Sequence, residues 1–418
     1  WIYPLPAQAW DRTSATGPAG TAASTPTGAK AVFNFLFKQS QDRHTYSTNP
    51  LWKFVDGPWV ITSFDPATFA ASFAANPHYT GATKPRLAGY KVRSFTTGTA
   101  ELNALRSGSI TFGTLPLSDL SEASYFKSHG YTVKPWKVFY NEDMELGYTS
   151  KTWGPLVKQL YIRQALQHLI TEKLYITKTL HGYGLADYGP APDYSGSKLV
   201  SPTLRKDPYP FSISAAKSLL AKHGWAIGAG GVDVCKHPGT GSNQCGKGIT
   251  KGKKLSFSFM YATGTTAFLQ QVSNFQTEAK KAGIGVSLNG QTENTMFSIG
   301  GTCPASPPCN WGILGYSAFM WDFGQYQLIP AGGNQYGKGN YWSGGYYTPK
   351  ATRLIQAVHE KPGLKYLYAD ENYLSKNLAA LWWPVADYQV VVAKKSLQGW
   401  QHLSPYANFD PQTWYFSG

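Results

Sequence analysis

The chain has 418 residues, more than one hydrophobic core usually serves, so two lobes are expected. Its 42% hydrophobic and 15% aromatic content excludes a disordered chain, and its longest apolar runs, such as Phe33–Phe37 and Val390–Ala393, fall far short of the roughly 20 residues that span a bilayer. The net charge of +15 comes from scarce Asp and Glu (23) more than from abundant Lys and Arg (38), and the basic residues are scattered without a nucleic-acid motif, which argues against nucleic acid and for a solvated basic surface suited to an acidic medium or an anionic envelope.

In chain order, WIYPLPAQAW lacks the basic start and apolar stretch of a signal peptide. Residues 11–31 are small, polar and turn-rich, and read as an exposed loop. FVDGPWVITSF and FAASFAANPHY read as paired strands, Leu87–Phe95 as a strand, Thr99–Arg106 as a helix closed by Gly108, and Ile110–Gly113 as the next strand. This alternation predicts an α/β fold. From Gly154 the period becomes helical, with Leu156, Leu160, Ala165, Leu166 and Leu169 on one face. Ser214 is placed to head a second helix and Gly224 to end it. LSFSFMY alternates as a half-buried strand at Leu255, Phe257, Phe259 and Tyr261. A helix burying Phe268, Val272, Phe275 and Ala279 then feeds the strand IGVSL, and a last long helix is expected over about Gly363 to Leu381.

Residues 311–347 are dense in aromatics and glycine, and only Asp322 and Lys338 carry charge there. Rings with polar tips suit a surface that grips a partly polar partner, and glycines let backbone approach a ligand. Trp311, Tyr316, Phe319, Trp321 and Asp322 are therefore expected to line a ligand site, with Tyr261 and Trp383 as weaker candidates. The four cysteines fall into two close pairs, Cys235 with Cys245 and Cys303 with Cys309, and neither spacing matches a zinc knuckle. Gly and Pro in the intervening loops allow tight turns, so two disulfides are expected rather than free thiols, which implies an oxidising, extracytoplasmic location. GSNQCGKG at 241–248 is too short in spacing for a phosphate loop, and His359–Glu360 lacks the second histidine of a zinc protease. No catalytic constellation, cofactor motif or metal spacing emerges, so an enzyme is not expected.

The order of segments is informative as a set. VDGPWVITSFDP, FAANPHYTGATKP, TAELNALRSGSITFG, YIRQALQHLITEKLYITKTLHGYGLADYGPAP, SISAAKSLLAKHGW, NFQTEAKKAGIGVSL, WGILGYSAFMWDFGQYQLI and WWPVADYQVVVAKKSLQGW follow one another across residues 50–400. Together they resemble the extracytoplasmic solute-binding proteins of family 5, the oligopeptide, dipeptide and nickel class that delivers ligands to ABC importers. The resemblance implies a two-lobed α/β fold of the type II periplasmic-binding kind, with ligand enclosed in an interlobe cleft and a hinge near Tyr140–Tyr148 and Val390–Lys395. Lobe one would hold residues 1–145 and 396–418, and lobe two residues 146–395. It also implies an oligopeptide or similar polar solute as ligand, a transporter permease as partner, and a long N-terminal portion, building a small extra domain and the start of the first lobe, that this sequence lacks and that could exist as a separate fragment. Peptide binders of the family use an Asp in the WGILGYSAFMWDFGQYQLI region for the peptide amino terminus. Trp321 and Asp322 straddle the expected place, which leaves other polar solutes open. The competing expectation is a secreted or envelope-associated adhesion protein on the same scaffold, acting through its basic surface.

Overall fold

The structure is a computed structural model, and it describes residues 6–194, 197–300, 309–316, 319–320, 336, 344–387, 389–404 and 408–418. Strands β1 (Trp59–Phe64), β2 (Ala71–Ala75) and β3 (Gly89–Val92) form an antiparallel sheet in the order β1-β2-β3. After them come β4 (Phe112–Leu115), β5 (Tyr131–Trp136), β6 (Tyr140–Leu146) and the short β7 (Gly184–Leu185). The pairs β8 (Trp225–Ile227) and β9 (Asp233–Cys235), then β10 (Ser256–Ala262) and β11 (Gly285–Gln291), lead to β12 (Ile313–Gly315) and β13 (Phe319–Met320). The chain returns through β14 (Leu381–Trp383), β15 (Val385–Ala386) and β16 (Gln389–Lys394).

Two sheets organise the rest. One is three-stranded in the order β4-β16-β5, with β16 antiparallel to both neighbours. The other runs β11-β10-β12-β6-β13, with β14 also paired to β6. β10 is parallel to both β11 and β12, and the helix Thr266–Lys281 makes the crossover from β10 to β11. That helix forms because Phe268, Val272, Phe275 and Ala279 recur at helical spacing, and all four are buried against the sheet. The chain passes between the two sheets twice, between Trp136 and Tyr140 and again between Trp383 and Gln389, where β15 pairs with β7 on the way.

Several local expectations shift. Within the stretch expected to be loop, residues 26–31 open the helix Pro26–Gln41, where the Thr25 side chain accepts from the Gly28 amide and Pro26 fits the first turn. Ser212, not Ser214, caps the helix Ile213–Lys222 by accepting from the Ala215 amide. The segment from Gly154 splits into the helices Gly154–Val157 and Leu160–Gln167. The last long helix stops at Asn377 because Leu378 turns left-handed at φ 46°. Arg163 donates to the Asn377 carbonyl, and the Tyr148 hydroxyl lies at 3.1 and 3.0 Å from the Leu378 and Ala379 carbonyls, which satisfies that helix end.

Cys235 and Cys245 are joined by a disulfide, buried beside Trp225 and Tyr161, whose hydroxyl donates to the Cys245 carbonyl. Cys309 is a half-cystine, and Cys303 lies outside the described residues. Replacing Cys235 and Cys245 together by Ala opens a ring with a sequence separation of 10. It should lower unfolding stability by about 3 kcal/mol in urea titrations, and an unchanged midpoint would show that hydrophobic packing alone holds this corner.

Candidate functional site: an acidic cleft at the crossings

A cavity of ≈ 310 Å³ opens where the chain crosses between the two sheets. Thr114, Leu115, Pro116, Gln389 and Val390 border it from the β4-β16-β5 side. Thr265, Ala267, Phe268 and Gln271 border it from the helix that crosses between β10 and β11, and Tyr140, Glu142, Ala386 and Asp387 from the crossings themselves. The register explains Glu142. Side chains alternate along β6, where Met144 and Leu146 enter the core and Asp143 receives a hydrogen bond of 2.6 Å from the Tyr336 hydroxyl. Glu142 sits opposite Trp383 in the pairing of β6 with β14, which fixes its backbone in a ladder.

The electrostatics of this cavity run against the rest of the chain. Its charged neighbours among the described residues are the carboxylates Glu142, 3% exposed, and Asp387, 7% exposed. Burial raises the Glu142 carboxyl well above the usual carboxylate range, and the charges of Asp143 and Asp187 add to the rise. Burial likewise lifts Asp387 to about 6, partly opposed by Lys137. Glu142 Oε1 and Gln389 Oε1 are both buried without a hydrogen-bond partner. The apolar wall is braced from behind: Trp383 Nε1 donates to Gln271 Oε1 at 2.7 Å, and Gln271 Nε2 donates to Thr179 Oγ1 at 3.0 Å.

The residues singled out from sequence are dispersed. Trp311 and Tyr316 are closed off in a cluster with Met260, Ala262, Met296, Cys309 and Leu314, and the Tyr316 hydroxyl donates to the Met296 carbonyl. Trp383 is 0% exposed and packs among Tyr175, Phe259, Phe268 and Phe275. Tyr261 is half-buried and meets Phe268 edge-on. None of these four borders the cavity. The backbone of Phe319 pairs with Asn141 and that of Met320 with Tyr140, while Trp321 and Asp322 lie outside the described residues. Glu142 and Asp387 were missed. The available signal was the acidic triplet Glu142, Asp143 and Glu145 inside a strand, and an Asp leading into the apolar run QVVVAK. Among the described residues no group of His, Cys, Asp and Glu is placed to hold a metal ion, and no helix is long and apolar enough to cross a membrane.

Comparison with known proteins bears on the fold and the family. The chain is similar to the oligopeptide-binding protein AppA of Bacillus subtilis, solved with a nonapeptide, at TM-score 0.66 and 15% identity over 87% of this chain and 66% of that one. It is similar to the oligopeptide-binding protein of Thermus thermophilus, solved with a pentapeptide, at TM-score 0.68 and 17% identity over 92% of this chain and 65% of that one. NikZ of Campylobacter jejuni, solved with Ni(L-His), matches at TM-score 0.67 and 14% identity over 93% and 74% of the two chains. These likenesses establish the fold as a two-lobed α/β fold of the type II periplasmic-binding kind. Protein XP55 of Streptomyces lividans is 25% identical over 256 residues, 61% of this chain and 41% of that protein, so the match spans less than half of the curated relative. The family described as bacterial extracellular solute-binding proteins, family 5 Middle, matches residues 12–347. With the family's pattern running through most of the sequence and its fold in the structure, this chain belongs to the bacterial extracellular solute-binding proteins of family 5.

Proposed function

We propose that the chain captures a small polar solute, of the oligopeptide kind or similar, in the cleft at the crossings, outside the cytoplasm, and presents it to an ABC importer. The single observation that carries this reading is the cavity bordered by both sheets and by both crossings, since a cleft placed there changes shape when the lobes move. In this reading the lobes meet at the two passages between the sheets, which act as the bending points, so that β6 (Tyr140–Leu146) goes with lobe two and β16 (Gln389–Lys394) with lobe one, a few residues from the bounds of 145 and 395 expected from the sequence. In this reading Phe319, Trp321 and Asp322 line the cleft as well; the pairing of Met320 with Tyr140, which borders the cavity, supports that role. The neighbours' titles name peptides and a nickel–histidine complex as their ligands, which supports a polar solute as cargo.

Native mass spectrometry of the protein after incubation with a peptide and metabolite extract tests this. A mass exceeding that of the denatured chain by one small molecule, lost on denaturation, is the expected result. Retention of no small molecule, together with salt-sensitive binding to an anionic polymer, would favour an adhesion role for the basic surface.

A further inference from the structure

We propose that the disulfide-closed corner of the chain, residues 225–254, docks onto a membrane surface rich in anionic lipid and holds the protein beside the bilayer. This goes beyond the solute-binding reading, because it concerns a face that takes no part in the cleft. The charge pattern carries it. Between Asp207 and Glu278 the sequence has Asp233 as its single acid against seven lysines, of which Lys236, Lys247, Lys251, Lys253 and Lys254 fall within the corner. That stretch contains no Arg.

The fold gathers these charges on one projecting layer. β8 pairs with β9, and Val234 of β9 pairs in turn with Lys254. Side chains alternate along a strand. Cys235 is buried in its disulfide, so Val234 and Lys236 turn to the opposite side, and Lys254 shares that side with Val234. The turns project from the body, since a Cβ added at Gly230, Gly231 or Gly252 would meet nothing within 4 Å. Two helices bring further lysines to the corner. Lys222 ends the helix Ile213–Lys222, just before the Gly224 carbonyl accepts from the Lys236 amide. Lys280 and Lys281 end the helix Thr266–Lys281, just before the Gly283 carbonyl accepts from the Asp233 amide. Lys217 offsets the charge of Asp233, and Lys281 pairs with Glu278 at 2.9 Å, so both nearby acids are already balanced. Among the described residues Lys236, Lys247, Lys251 and Lys254 are exposed and form no ion pair.

A lipid surface fits this corner better than a single anion or a soluble polymer. Lys is a mobile point charge without the bidentate fork of Arg, which suits a diffuse negative surface. Ile227, at the end of β8 beside the glycine-rich turn, is 72% exposed, the most exposed large apolar side chain among the described residues. An apolar side chain set among lysines can enter the headgroup layer, whereas a hydrated polymer offers it nothing to bury against. The disulfide fixes the corner beforehand, which lowers the ordering needed on docking. Placement also leaves the cleft open. Phe268 and Gln271 border the cleft near the start of the helix Thr266–Lys281, and the corner meets its far end. At the helical rise those ends are about 20 Å apart.

Co-sedimentation of the full chain with vesicles tests this, using phosphatidylcholine alone and an equal mixture of phosphatidylcholine and phosphatidylglycerol. The protein should sediment with the mixture, stay in solution with phosphatidylcholine, and be released at roughly 1 M salt, where charges are screened within about 3 Å. Lys251→Gln, Lys253→Gln and Lys254→Gln together should weaken the partition by about a hundredfold. Ile227→Ser should weaken it by roughly fivefold or more. None of these residues borders the cleft, so the melting temperature and solute capture serve as controls and should hold. Equal sedimentation with phosphatidylcholine alone, or a triple lysine variant that partitions like the wild type, overturns the inference. So does an Ile227→Ser variant with unchanged partition, and tight binding of soluble polyphosphate would then assign the corner to an anionic polymer. Solute capture is read separately by native mass spectrometry, so failure here leaves the solute-binding reading standing.

Discussion

The protein should melt at a higher temperature at about pH 5 than at about pH 8, by roughly 5 °C or more. Glu142, Asp143, Glu145, Glu172, Asp187, Asp370, Glu371 and Asp387 are all buried, and burial is the leading cause that raises each carboxyl above its ordinary value. Both oxygens of Glu145, of Glu172 and of Asp370 lack a hydrogen-bond partner. The unfolded chain releases these protons near the ordinary values of 3.8 and 4.5, while the folded chain keeps them to about 6 at Asp143 and Asp387 and about 8 at Glu371. The folded state therefore binds more protons in between. Its stability from these groups is complete below about pH 4 and declines as pH rises through the folded values. For Asp143 alone the difference is about 3 kcal/mol. Repulsion within a chain of net charge +15 grows in acid and opposes the trend, which limits the gain below about pH 4. Glu145→Gln provides the control: it should raise the melting temperature at about pH 8 and change it little at about pH 5. A melting temperature that stays level or climbs with pH would mean that these carboxylates are partnered in solution.

The same burial explains why the fold was legible in the sequence and the cleft was not. Apolar periodicity identified the helix carrying Phe268, Val272, Phe275 and Ala279, and turn residues separated β1 from β2, because both signals are local. Order of segments carried the architecture. The helix Pro26–Gln41 escaped notice because only Val32 is buried in it, and Thr, Gly and Ala at its start mimic loop composition. The cleft is a product of long-range pairing. Glu142 and Asp387 meet the same cavity although far apart in sequence, and neither the acidic triplet around Glu142 nor the Asp before QVVVAK says that the two come together. Aromatic density misdirected attention in a physical way: a Trp serves a core as well as a cleft, and Trp311 and Trp383 are both fully buried. A buried acid in a strand is the more discriminating sign, since it is unfavourable unless a partner or a ligand meets it.

Trp383→Ala should destabilise the unliganded protein by about 3–5 kcal/mol, the range for deleting a large buried ring. Trp383 stacks on Tyr175 with centroids 5.2 Å apart and meets Phe275 at 5.6 Å, with Phe259 and Phe268 around its edges. Its indole N–H also holds Gln271, which borders the cleft. The Ala variant therefore leaves both a cavity and an unpaired buried amide. Trp383→Phe retains most of the packing and loses the hydrogen bond, so it should destabilise by about 1–2 kcal/mol. That smaller change isolates the functional consequence. Gln271 then keeps its bond to Thr179 but loses the one that fixes its carbonyl, so Trp383→Phe should loosen this wall of the cleft and weaken capture of the solute even where the protein remains folded. Chemical denaturation gives the first quantity and calorimetry the second. If Trp383→Ala loses solute affinity while its unfolding midpoint stays at the wild-type value, the ring lines the cleft and does not support it from behind.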